Sequence, residues 1–526
     1  VFFYGTNSNA KDATVGVLKN CNITTNGIVG IYGSDNVIDA TGTTIEADSI
    51  VAVNATKSFG ETPVYFETAG ISNATLKVNK VSNPIMSWYI DSVGTKILKL
   101  EGVTFNGGIL IDSKADVRIS LAGDVVFNKV VHIAGTVTMD LNGHTISAST
   151  SGWTGGDDSD SMFCVKRGGV LTINDTSDGK TGKIDCANNS GARVCVKLTG
   201  TGESGSGDIA KLIVNGGTFN GMIAITEKNK ANVSVECAFT VESNADKRWY
   251  FNGSEIVDAV KEINKITSGD VTLEIFENIN ITEAGAAKNA ALWFTKGVTI
   301  NGNNNVITYN AATGDGLNVL GFSEGVTATV NDLIIDGNQK AFHGINIWKA
   351  TKISLNNITV KNVNAAGIIA NCAETTMSDC DVSQNCVWGG VNVDIGSSDA
   401  TTCKLIVTGD FKGKIWTESF NAPSVVDYDN AIVTTTYNKD AKNWKFWYSP
   451  DYDFTSDMKG LLSGAEVILN DNYVLSEGKS ITINSGVELK ILNGNAFTGT
   501  IFGPNGNKLV ANGMKAGENG ITITGG

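Results

Sequence analysis

"GINI" (Gly344–Ile347), "GIIA" (Gly367–Ala370) and "GVNV" (Gly390–Val393) follow one another at equal steps of 23. Ile345, Ile368 and Val391 hold the same place in the three copies. Asn338, Asn362 and Asn385 recur at steps of 24 and 23. "ISLNNITV" (353–360), "TMSDCDV" (376–382) and "CKLIVTG" (403–409) return at a similar spacing. A fixed period made of short alternating strands and Asn/Gly turns marks a repeat that stacks on its neighbours to bury its apolar face. The spacing predicts an all-β chain wound as a right-handed parallel β-helix, one coil per repeat. Ile345, Ile368 and Val391 then stack inside at successive levels. Asn338, Asn362 and Asn385 form a side-chain ladder at a turn. A leucine-rich repeat has a comparable period, but its Leu/Asn consensus is missing.

The same texture extends outward from this core. "VTMDLNGHTIS" (137–147), "LIVNGGTFNG" (212–221) and "VTINGNNNVIT" (298–308) alternate apolar and polar residues around Asn-Gly. Asn-Gly between alternating runs also suits hairpins, but hairpins need no fixed long step. In this texture the chain resembles the pectate-lyase-like right-handed parallel β-helix superfamily, and within it the tandem-repeat surface and sheath proteins of bacteria and archaea. The resemblance is architectural, covers nearly the whole chain and rests on motifs of low specificity. It implies an extracellular protein of the cell surface or cell envelope.

A longer repeat overlies the coils. "WY" occurs at Trp88-Tyr89, Trp249-Tyr250 and Trp447-Tyr448. "SEIVDAVKEINKI" (254–266) follows the second and "FTSDMKGLL" (454–462) the third. Ile256, Val257, Val260 and Ile263 lie at helical spacing, with Ser254 and Thr455 as N-cap candidates. These markers predict modules at 1–87 (the end part of one), 88–248, 249–446 with an opening helix, and 447–526 (the opening part of another). The chain closes on "NGITITGG" (519–526), a strand pattern with nothing after it. Two readings stay open: the last coil is continued by the first coil of another copy, or the sequence is a window of a longer polypeptide.

Composition narrows the function. Charged residues make up 18% of the chain and the net charge is −14, so the basic patches that nucleic acid requires are not expected. No apolar run reaches membrane-helix length. The nine cysteines include no CxxC pair. Cys164 and Cys186 stand 22 apart, Cys380 and Cys403 stand 23 apart, and each spacing matches one coil. Adjacent coils at about 4.8 Å suit disulfide geometry. Reduced, buried thiols fit the same spacing. The odd count leaves one thiol over, and Cys21 is the candidate for a bond between chains.

Sites of chemistry are sparse. Asp157, Asp158 and Asp160 in "GGDDSDS" form the best acidic cluster, a weak candidate for calcium without an EF-hand pattern, and no other cofactor is implied. His343, with Asp332 and Asp336 upstream, is the best acid–base candidate. His132 and His144 read as structural. Trp348, Trp388 and Trp416 lie in the repeated region, but the separation of the first two is no multiple of the repeat. N-x-S/T sites such as Asn22, Asn73 and Asn357 permit glycosylation. The leading expectation is a non-enzymatic extracellular structural protein whose partner is itself, joined head to tail into an envelope layer, sheath or filament. An adhesin for glycans or host protein is the alternative. A polysaccharide lyase or hydrolase, or a phage tailspike, is the third.

Overall fold

The computed structural model describes residues 2–4, 15–17, 19–32, 37–53, 56–59, 62–66, 71–78, 88–90, 95–101, 104–105, 109–111, 116–127, 130–148, 161–186, 194–199, 209–225, 232–234, 236–243, 246–286, 289–314, 316–395, 403–419, 424–435 and 444–526. Among these residues the chain is nearly all β, with two short α-helices. It divides into two compact units. One comprises Val1–Cys237 and Asn244–Asn252, the other Ala238–Ser243 and Gly253–Gly526.

In the first unit the chain visits three parallel ladders in a fixed order. Asp116–Leu121, Thr136–Asp140, Val170–Asn174 and Lys211–Val214 pair in sequence. Val125–Phe127, Thr145–Ala148, Lys183–Asp185 and Thr218–Asn220 form the second ladder. Val131–Ile133, Ser161–Val165, Val194–Leu198 and Met222–Ile225 form the third. Every second side chain of a strand points inward, so register turns each ladder into a buried column. Val117, Val137, Leu171 and Leu212 make one; Val125, Ile146, Ile184 and Phe219 make another. The step from level to level is uneven: the stretch from Leu171 to Leu212 is roughly twice that from Val117 to Val137.

The second unit has more even steps. Ala290–Phe294, Asn318–Phe322, Ile345–Trp348, Ala366–Asn371, Gly389–Ile395 and Lys414–Ser419 stack in parallel. Ile345, Ile368, Val391 and Ile415 are register partners, each 0% exposed, so the expected column is present, and it extends beyond Ile345 through Leu320 to Leu292. Val298–Tyr309, Thr327–Asp336, Lys352–Val363, Glu374–Ser378, Cys403–Thr408 and Ser424–Tyr428 form a second parallel ladder. The glycines of the repeat sit where the chain enters the first ladder. A Cβ on Gly344 would lie 2.2 Å from Val360 Cγ1, and one on Gly390 would lie 2.4 Å from the Lys414 carbonyl oxygen.

Parallel order is broken at set places. Lys445–Tyr448 runs antiparallel to Lys414–Ser419, with Ile415 opposite Trp447, and Glu466–Leu469 then stacks parallel on it. Asp246–Tyr250 runs antiparallel to Met222–Ile225 in the same register, Ile223 opposite Trp249. Trp88–Ile90 differs, since it pairs in parallel with Ile109–Ile111. Ile521–Thr524 is another reversed strand, antiparallel to Glu488–Ile491. The final strand is thus not a further parallel coil.

Helix α1 (Ile256–Ile263) buries Ile256, Val257, Ala259, Val260 and Ile263. Its N-cap is Glu255; Ser254 lies in the preceding 3-10 turn. In α2 (Thr455–Met458) the cap is again displaced from the expected residue. The Asp453 carboxylate accepts from the Thr455 backbone N–H (3.1 Å) and hydroxyl (2.7 Å). A carboxylate is the stronger acceptor for the unpaired N–H groups of a first turn. Beneath α2, Phe446, Tyr448, Phe454, Tyr473 and Phe497 form a run of ring contacts at 4.6–6.4 Å.

Candidate functional site

The asparagines were expected to bond to one another at a turn. Asn385 Nδ2 donates to Asn362 Oδ1 (3.0 Å), as expected. The next rung is different: Asn362 Nδ2 donates to Asp336 Oδ1 (2.9 Å), and Asn338 Nδ2 donates to Asn310 Oδ1 (2.5 Å). Asp336 takes the place of Asn338 because a carboxylate accepts more strongly than an amide. Asn338, Asn362 and Asn385 all have positive φ, from 49° to 56°, which Asn tolerates and β-branched residues do not. A second ladder runs along the strands: Asn356 donates to Asn331 (2.8 Å), Asn331 to Asn301 (2.9 Å), and Asn301 to Glu274.

The cysteine pairs do not form, and no two cysteines stand at disulfide distance among the described residues. Cys164 has Lys197 as its partner one level up, whereas Cys186 follows a strand of another ladder. Cys380 lies past the end of Glu374–Ser378. Cys403 aligns with the opposite end of that strand, because Glu374 pairs with Lys404 and the step there is longer than one repeat. The coil-length premise fails where loops lengthen the turn. Cys380 and Cys403 are buried thiols that contact backbone carbonyls, and burial pushes their pKa up to about 11 and 12. Cys21 is a half-exposed thiol.

Asp157, Asp158 and Asp160 lie outside the described residues. Among the described residues, no group of three or more His, Cys, Asp or Glu could hold a metal ion. His343 is buried, its Nδ1 2.9 Å from the Ala366 carbonyl oxygen. Asp332 accepts from Asn357 Nδ2 (2.7 Å), and Asp336 accepts from Asn338 N–H (2.9 Å) and Asn362. These carboxylates hold turns and do not converge with His343. His132 is buried in Val131–Ile133, and His144 Nδ1 lies 3.9 Å from Asp124.

The tryptophans do not form a row, in line with their spacing. Trp348 and Trp416 lie in different rows of the face opposite Ile345, where Trp416 is buried in the core with Phe446 and Tyr448, and Trp388 sits in the turn leading into Gly389–Ile395. Trp348 is 38% and Trp388 50% exposed. Trp388 packs edge-on against Phe342 (5.1 Å) and His343 (5.9 Å).

No family model matches the chain, and no curated protein matches it.

Proposed function

We propose that this chain is a non-enzymatic extracellular structural protein, a right-handed parallel β-helix in tandem modules that joins end to end into an envelope layer, sheath or filament. The observation that carries the reading is the internal junction. Lys445–Tyr448 reverses direction on Lys414–Ser419, and its other edge carries the first strand of the next parallel stack, Glu466–Leu469. Ile521–Thr524 is reversed on Glu488–Ile491 in the same way, so the geometry of the junction recurs in the chain. A reversed strand offers its far edge to the next stack, as Lys445–Tyr448 does to Glu466–Leu469, and a head-to-tail contact of this kind propagates instead of closing. The constant step from Ile345 to Ile368 to Val391, the buried columns of the second unit and its Asn ladders all support the solenoid reading. The resemblance to surface and sheath proteins supports the location.

Electron microscopy of the purified chain, with and without reductant, tests this. Filaments or hoops are expected, and Thr522→Pro with Thr524→Pro disperses them by removing edge donors. Loss on reduction would add a bond between chains through Cys21. Isolated particles under both conditions, or filaments indifferent to the proline pair, would refute end-to-end assembly.

A further inference from the structure

We draw no further inference here: the strongest candidate, the side-chain cluster of His132, Cys164 and Lys197 that register aligns across Val131–Ile133, Ser161–Val165 and Val194–Leu198, on the face turned away from the core of Phe163 and Val196, carries nothing, because all three residues are buried and nothing in the structure shows what covers them.

Discussion

Glu255 ends the 3-10 turn before α1 with one carboxylate oxygen buried and unpartnered. Burial, helped by the neighbouring Asp258 charge, pushes its carboxyl pKa from 4.5 up to about 7. The folded state therefore holds this proton more tightly than the unfolded chain does. Below pH 4.5 both states are protonated and the group costs nothing. From pH 4.5 to about 7 the unfolded chain loses the proton first, so stability falls as pH rises. Glu255→Gln should remove a loss on the order of 2 kcal/mol across that window, a figure reduced for the partial exposure of the group. Denaturant melts at pH 4.5 and 8 read it. An equal pH slope in both proteins would show that Glu255 is not the source. The thiols make a parallel case. Burial raises Cys380 and Cys403 and so suppresses the reactive thiolate. Iodoacetamide at pH 8 should label Cys21 in the native chain and reach Cys380 and Cys403 only after denaturation, as peptide mass mapping would show.

At the scale of elements, the repeat succeeds where backbones pass closest. Gly344 lies in the entry to its strand, its N–H donating to the Gly367 carbonyl oxygen (3.0 Å). A methyl there meets Val360 Cγ1 and the same carbonyl oxygen. Gly344→Ala should cost about 1–3 kcal/mol through overpacking. Gly478→Asn, at a positive φ with open space around it, should cost well under about 1 kcal/mol by the same denaturant melts. Equal effects at the two sites would refute the close-approach account. This corner was legible in the sequence because the turns between Gly344 and Val391 are short and the step from Ile345 to Ile368 to Val391 stays constant. The first unit carries the same kind of ladder, but its steps are unequal, Leu171 to Leu212 being roughly twice Val117 to Val137, so inserted loops hide the period. The cysteine pairs failed for that reason, having been placed by a coil length that holds only locally. The reversed strands were not legible either. "RWY" and "FWY" state a strand and a hydrophobic face, but nothing local in them states direction.

At the scale of the whole molecule, stacked levels gain stability mostly from their nearest neighbours. Each unit has a core of its own: one joins Val117, Leu171 and Phe219, the other Phe446, Phe454 and Leu489. Unfolding should therefore proceed in two transitions, since a cooperative block ends where nearest-neighbour contacts thin out. Ile368 sits fully buried between Ile345 and Val391 in the second unit. Ile368→Ala leaves a cavity at one level and should cost about 2–5 kcal/mol. That loss should lower the transition of the second unit alone and leave the first where it was. Leu171→Ala, in a column of the first unit, should do the reverse. Differential scanning calorimetry of both variants separates the cases. If either substitution moved a single transition carrying the whole unfolding enthalpy, the two units would be one cooperative body, and the picture of stability accumulating level by level would have to be abandoned for this chain.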